Sequence, residues 1–202
     1  MWAVKGGVHG VRARARQRGV VVVEFAVVAL MLFLAFFGTI ELARALYICN
    51  TLQEVTRRAA ALASNSDFTS AGAMQRVREQ AVLRDSAGDL PFAEPVSDQS
   101  IKIDYLSIQR NGGTLAMTAI PAGLLPDSPA ANFANCLRDL YASNCIRLVR
   151  ARVCAPEGGE ACTRLPYRSL FSLIALDFAL PESTAIVNAE SLGMSDGLPV
   201  ER

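Results

Sequence analysis

An almost unbroken run of apolar residues dominates the first quarter of the chain. It covers residues 20–40 and holds one charged side chain, Glu24. A helix of this length, with a rise of 1.5 Å per residue, is about 32 Å long, which is enough to cross the hydrocarbon core of a bilayer. The pattern therefore predicts a transmembrane helix over residues 20–40.

Helical periodicity continues beyond this apolar run. Residues 41–63 contain neither proline nor glycine, and their apolar positions recur at spacings of three and four. Such spacing places the apolar side chains on one face of a helix. We expect the helix to continue over residues 41–64 and to end at the turn-forming segment "SNSDFTSAG". The apolar positions of this face are Leu42, Ala45, Leu46, Cys49, Leu52, Val55, Ala59 and Leu62.

The remaining residues, 65–202, predict a small head of mixed structure. A short helix is expected over residues 71–83, and "IKIDYLSI" alternates apolar and polar residues as a strand does. The Asn-Gly pair in "RNGGT" predicts a hairpin that returns through "TLAMTAI". "FANCLRDLYASNC" predicts another short helix, and "IRLVRARVC" and "TAIVNAE" predict two further strands.

These elements define the predicted fold class, which is α+β. A long N-terminal transmembrane helix would continue into a small head built on an antiparallel sheet. The apolar segment at residues 170–180 has an aspartate and is too short for a second span, so we expect it in the core of the head.

The distribution of charge predicts how the helix is oriented in the membrane. The net charge is +1, yet residues 1–19 carry Lys5 and four arginines and no acidic residue. A basic flank ahead of an apolar span remains in the cytoplasm, so the head would lie outside. The run "RARARQR" could also bind nucleic acid, but its position beside the span favours the topological role, and no nucleic-acid partner is predicted.

Cysteine usage agrees with an exported head. Four of the five cysteines lie between residues 136 and 162, and in an oxidising compartment they could form two disulfides. Their spacing allows three pairings and chooses none of them, and it lacks the short Cys-x-x-Cys spacing of a zinc site. Cys49 could link subunits or pack as a small apolar residue. The disulfide candidates are Cys136, Cys145, Cys154 and Cys162.

The residue inventory argues against an enzyme. His9 is the only histidine and lies in the basic segment, and Lys102 is the only lysine beyond that segment. Catalysis by Ser-His-Asp or Cys-His and a P-loop lysine are therefore not expected. No cofactor or metal is predicted. The arginines Arg147, Arg150 and Arg152 could contact an acidic partner, although a solvated sheet face explains them more simply.

The residues around the start of the apolar run suggest proteolytic processing. A cut after Gly19 would make Val20 the new N-terminus and Glu24 its fifth residue. A carboxylate in a low-dielectric medium needs a partner, and the new ammonium group would lie one helical turn away. Glu24 could equally meet the ammonium group of a neighbouring subunit and set the stagger between helices. A glutamate reaching to water at the membrane edge is the simpler alternative.

This arrangement resembles the type IV pilin family, and the Glu24–Phe25 pair is most similar to its Flp/Tad branch. The helix from residue 24 to residue 64 resembles TadE-like minor pseudopilins, as does the closing segment "LPESTAIVNAESLG". Within the pattern "FG-I-E-x-x-R", Glu41 and Arg44 could form an ion pair. The positions that match the family pattern are Gly38, Glu41, Arg44, Gln53, Arg57 and Ala60.

The resemblance implies a minor pseudopilin of a Tad/Flp-type pilus assembly or secretion system. Residues 1–19 would be a prepilin-type leader that a prepilin peptidase removes. The protein would be a single-pass protein of the bacterial inner membrane, with a periplasmic head and with other pseudopilins or pilin subunits as partners. The alternative is an uncleaved single-pass anchor that displays a periplasmic ligand-binding domain.

Overall fold

A long helix and a four-stranded sheet form the fold in a computed structural model that describes residues 18–158, 162–172 and 176–194. The predicted leader lies outside these residues except for its last two positions. The α+β class and the long N-terminal helix are confirmed. The elements are α1 (Arg18–Asn65), α2 (Ala71–Ala81), β1 (Ile101–Asn111), β2 (Thr114–Ala119), α3 (Pro129–Arg138), β3 (Leu148–Val153) and β4 (Thr184–Asn188).

Helix α1 passes through two compact units, which are divided between Ile40 and Glu41. In the first unit, none of the side chains from residue 19 to residue 40 is buried. Among the described residues, α1 is the one helix that is long and apolar enough to cross a membrane. An apolar surface of this size left uncovered by its own chain is typical of a helix that lies in lipid.

In the second unit, α1 becomes amphipathic and supplies the core of the head. Ile48, Leu52 and Val55 are fully or almost fully buried, and they pack with residues of β1 and β3. A second cluster around Tyr105 and Val149 continues the core towards α2. The predicted apolar face is right in part: Leu52 and Val55 lie in the core, whereas Leu42 and Leu46 are exposed, and Ile48, which the predicted face did not include, is buried.

The sheet is antiparallel throughout and has the strand order β2-β1-β3-β4. Strand β1 is longer than predicted and reaches Asn111, which pairs with Thr114. The two residues between them, Gly112 and Gly113, have φ angles of 57° and 93°. A two-residue hairpin with both φ angles positive needs residues such as glycine, so the Gly-Gly pair forms the turn and Asn111 precedes it.

The two short helices differ from the sequence prediction at their ends. Helix α2 ends at Ala81, because Leu83 adopts a φ of 61° that no α-helix continues through. Helix α3 begins earlier than predicted, since Ser128 caps it by accepting a hydrogen bond from the Ala131 N–H, and Pro129 follows at the first turn. It ends at Arg138 rather than continuing to Cys145.

The expectation that residues 170–180 form a buried core segment is wrong. Leu170 is 60% exposed and Phe178 is 37% exposed, whereas Leu180 is buried. Of the described residues of this segment, 170–172 and 176–180, only Leu180 is buried, and they are irregular apart from a bridge between Ala179 and Pro166. Residues 173–175 lie outside the described residues. Apolar composition alone therefore overestimated its burial.

Two disulfides stiffen the head. Cys136 in α3 is bonded to Cys145, and Cys154 after β3 is bonded to Cys162. This is one of the three pairings that the sequence left open, and it joins near neighbours in the chain. Closing loops of about this size stabilises a fold by roughly 2–3 kcal/mol each in the chain-entropy account. Cys49 is a free thiol of intermediate exposure.

The segment that follows β4 closes the end of α1. The N–H groups of Glu190 and Leu192 both donate to the Ser64 carbonyl, at 3.2 and 3.0 Å. Gly193 then turns with a φ of 81° so close to Asp67 that an added Cβ would overlap the Asp67 backbone. The closing segment thus satisfies a carbonyl that the last turn of a helix leaves without an internal partner.

Gly193→Ala should destabilise the head by about 1–3 kcal/mol, because the added methyl group meets backbone and the positive φ disfavours alanine. Equilibrium denaturation of the full chain in detergent, followed by near-ultraviolet circular dichroism, measures the effect. Gly123→Ala is the matched control, since nothing lies within 4 Å of a Cβ at Gly123. Equal stability of the two variants would contradict the structural role of Gly193.

Candidate functional site on the N-terminal helix

The predicted processing and register residues lie in the first two turns of α1. Gly19, Val20 and Glu24 are all exposed, and Phe25 is 73% exposed. Val20 and Glu24 are four residues apart in a continuous helix, so they lie on the same face one turn apart. Their relative position is therefore compatible with a contact between an amine at residue 20 and the Glu24 carboxylate.

The environment of Gly19 shows no steric need for glycine. A Cβ added there meets no atom within 4 Å, and its backbone is helical rather than left-handed. Glycine inside a helix is less favourable than alanine by roughly 0.5–1 kcal/mol. A requirement for glycine at this position would therefore have to come from something that acts on the chain, and not from the fold.

The predicted pair of Glu41 and Arg44 lies at the centre of a polar cluster at the beginning of the second unit. Glu41 is fully buried, and its carboxylate accepts a hydrogen bond of 2.5 Å from the Tyr167 hydroxyl. The Leu170 N–H donates to both carboxylate oxygens, at 3.2 and 3.1 Å. Arg44 Nη1 is 3.8 Å from Glu41 Oε1. The hydrogen bonds are shorter than the ion-pair distance, so they are the main partners of the buried charge.

Arg44 joins two loops to the helix through its guanidinium group. It donates to the carbonyl oxygens of Phe92, Glu94 and Arg168, at 3.0, 3.1 and 2.6 Å. A planar guanidinium group with donors on several sides is suited to such a contact, and lysine could not reproduce it. The side chain therefore holds the loop around residue 92 and the loop around residue 168 against the same turn of α1.

Tyr167 completes the cluster and links it to the apolar core. Its ring stacks on Phe178 with the ring centroids 4.6 Å apart, and the guanidinium carbon of Arg44 lies 5.4 Å from its ring centroid. Burial raises the pKa of the Tyr167 hydroxyl above its ordinary value, and the hydrogen bond to Glu41 raises the pKa further. The hydroxyl therefore remains a hydrogen-bond donor to Glu41 at neutral pH.

The sequence does not mark Tyr167 or Leu170 as partners of Glu41, because they lie far from it in the chain and belong to no motif. The signal that was available is Glu41 itself, since a glutamate on the face that turns towards the core must have donors around it. The Glu41 carboxylate and the Arg44 guanidinium are bonded to groups of the same chain. The geometry of the cluster is that of a structural clamp between the helix and the loops of the head.

The two arginines of β3, Arg150 and Arg152, are paired within the sheet, which differs from the expectation of a solvated face; Arg147 lies just before the strand. Asp104 of β1 lies opposite Arg150, and its Oδ2 accepts hydrogen bonds from Arg150 Nε at 3.1 Å and Arg152 Nη2 at 2.7 Å. Arg147 instead donates to the Leu140 carbonyl at 3.5 Å. The acidic partner of Arg150 and Arg152 is therefore Asp104 on the neighbouring strand.

Tyr167→Phe should lower the free energy of unfolding of the head by about 1.5–3 kcal/mol, because it leaves the buried Glu41 carboxylate without its shortest hydrogen bond. Tyr141→Phe is a matched control, since Tyr141 also accepts a hydrogen bond, from Arg110, but at an exposed site. Its loss should cost less than about 1 kcal/mol. Equal losses in equilibrium denaturation would show that burial of Glu41 does not govern this cluster.

Comparison with known proteins identifies the segment that contains these residues. The family model described as "TadE-like protein" matches residues 19–61, which include Glu24, Glu41 and Arg44. No curated protein and no solved structure gave a significant match to the chain. The matched segment covers the whole apolar stretch and the turn of α1 that carries the clamp. The apolar helix and the family match both fit a membrane-anchored protein. The chain therefore carries a TadE-like N-terminal segment, which confirms over these residues the resemblance inferred from the sequence.

Proposed function

We propose that this protein is a minor pseudopilin of a Tad/Flp-type pilus assembly or secretion system. The observation that carries the proposal is the TadE-like match over a helix whose apolar half is left uncovered by the rest of the chain. The role is structural: the helix anchors the protein in the inner membrane and packs laterally on other pseudopilins or pilin subunits, and the periplasmic head selects those partners. Residues 1–19 are its leader, residues 20–40 its span and residues 41–202 its exported part.

Lateral packing in lipid depends on close contact and on polar groups, because lipid tails are as apolar as the helices themselves. Glu24 is the one charged residue of the span and would be costly there without a partner. An ammonium group at Val20, on the same chain or on a neighbour, would supply that partner. The pair would then fix the stagger between adjacent helices.

An ammonium group at Val20 exists only if the bond between Gly19 and Val20 is cleaved. A prepilin peptidase that cuts after Gly19 is therefore a further partner. The environment of Gly19 is compatible with this proposal, because the fold itself accepts a side chain there. The uncleaved anchor with a ligand-binding head shares the topology and the disulfides. It differs in needing neither the cut nor the glycine.

Gly19→Leu should retain the leader in cells with an active prepilin peptidase, whereas the wild-type protein should begin at Val20. Intact-mass spectrometry and N-terminal sequencing of the protein from membranes measure this directly. Ala26→Leu is the control, because it makes the same kind of enlargement on an exposed face of the same helix. A leader retained on the wild-type protein would favour the uncleaved anchor.

Glu24→Ala should be processed normally but assemble poorly. Polar contacts between membrane helices contribute about 0.6–2 kcal/mol, so association should weaken by about 3- to 30-fold. Crosslinking to the partner subunits and the amount of pilus on the cell surface measure the loss. Glu54→Ala, at an exposed position of α1 beyond the span, is the control. Normal assembly of the Glu24 variant would remove its register role.

A further inference from the structure

Two large apolar side chains are exposed next to the clamp formed by Glu41, Arg44 and Tyr167. Phe92 is 85% exposed, the highest value among the exposed large hydrophobic residues, and Leu170 is 60% exposed. The backbone of each is bonded to the clamp: the Phe92 carbonyl accepts from Arg44, and the Leu170 N–H donates to Glu41. The two residues therefore project from loops that are tied to a single turn of α1.

The exposure of Phe92 is held in place by its backbone. Its φ is 60°, in the left-handed region that a bulky residue rarely adopts. Hydrogen bonds on both sides maintain this conformation, because Arg44 Nε donates to the Phe92 carbonyl at 3.0 Å and the Ala93 N–H donates to the Leu90 carbonyl at 3.0 Å. A strained residue that is fixed by its surroundings is a common sign of a functional position.

The same turns of α1 carry further exposed apolar side chains. Leu42 and Leu46 are both more than half exposed, and Tyr47 is partly exposed while its hydroxyl donates to the Pro91 carbonyl at 3.2 Å. Tyrosine with its hydroxyl on a polar group and its ring near apolar residues is typical of the membrane–water interface. We call Leu42, Leu46, Phe92 and Leu170 the membrane-proximal edge.

We propose that this membrane-proximal edge inserts into the interfacial layer of the lipid bilayer and holds the head against the membrane surface. This inference rests on the proposed membrane span. Lipid is the expected partner of this edge because the chain is continuous: Glu41 comes directly after the last residue of the apolar stretch. Arg44 lies four residues beyond Ile40 along the helix, a rise of about 6 Å. The interfacial layer is about 5–7 Å thick on each side of the hydrocarbon core, so the loops bonded to Arg44 begin within it.

Charge at this level is compatible with the same surface. Glu41 is enclosed and paired, and the exposed charged residues beside the edge are Glu94, two residues after Phe92, and Arg168, two residues before Leu170. Arginine is well suited to phosphate groups. Other exposed apolar residues of the head, such as Phe133 in α3, have no bond to this turn of α1 among the contacts of the described residues. They provide an internal comparison.

Single-tryptophan variants in liposomes test the proposal with the full chain. Trp2 is the only tryptophan, so it is first replaced by phenylalanine. Phe92→Trp then probes the edge, Phe133→Trp probes the head away from it, and Phe33→Trp probes the span. Phospholipids brominated near the headgroup end of the acyl chain should quench at least half of the emission of Phe92→Trp, with a blue-shifted maximum, and should leave Phe133→Trp unaffected.

The Phe33→Trp variant separates failure of the span from failure of this inference. If lipids brominated deep in the chain do not quench it, the membrane span and the edge are both overturned. If it is quenched while Phe92→Trp behaves as Phe133→Trp does, only the edge is overturned. Protection of Phe92→Trp from both brominated lipids and aqueous iodide would assign the edge to a protein partner instead. Leu170→Trp repeats the measurement on the second loop, with retention of both disulfides as the check on folding.

Discussion

The enclosure of one carboxylate is the constraint on which the head depends. Glu41 is the first residue of the second compact unit and has no access to solvent, so its charge must be satisfied by protein groups. The chain meets this requirement with the Tyr167 hydroxyl, the Leu170 N–H and the nearby Arg44 guanidinium. Arg44 in turn donates hydrogen bonds to three loop carbonyls. Loops that are separated by more than seventy residues are thereby fixed to one helical turn. Removing a hydrogen-bond donor of Glu41 would leave part of a buried carboxylate without a partner, whereas the bonds of Arg44 to the loop carbonyls lie at exposed sites.

A single helix serves two different environments on either side of this point. Before Glu41, α1 is apolar on all sides and unburied by its own chain, as a helix in lipid is. After it, the helix is amphipathic, and its apolar face is covered by the sheet. The clamp therefore lies where α1 changes from a fully apolar, exposed helix to an amphipathic helix covered by the sheet. The closing segment makes comparable contacts at the other end, where the N–H groups of Glu190 and Leu192 donate to the Ser64 carbonyl. Both ends of the amphipathic half of α1 are thus defined by contacts from distant parts of the sequence.

Local sequence patterns predicted the helices and strands well, but they could not predict contacts between residues that are distant in the chain. The change from an unbroken apolar run to a period of three and four identified both halves of α1. Alternation followed by an Asn-Gly pair identified the β1–β2 hairpin, although the turn itself is Gly112 and Gly113. The pairing of Cys136 with Cys145 could not be chosen, because three pairings fit the same spacing. Tyr167 could not be assigned to Glu41, since nothing local marks a tyrosine as a partner. Arg150 and Arg152 were placed on a solvated face because their register with Asp104 is a property of the folded sheet. Residues 170–180 were predicted wrongly for the opposite reason: their composition indicated burial, but of the residues that the structure describes there only Leu180 is buried.

Two of the three glutamates of the TadE-like segment, Glu24 and Glu41, show how the protein and its proposed assembly divide the same task. Both lie on α1, and both would be costly in an apolar medium without a partner. Glu41 receives its partners from its own chain, and its position in the head is fixed once the head folds. Glu24 is exposed among valines and Phe25, on a part of the helix that the head does not cover. On the proposed function its partner arises only after two further events, the cut that creates an ammonium group at Val20 and the arrival of a neighbouring helix. Glu41 then fixes a fold, whereas Glu24 makes assembly conditional on processing.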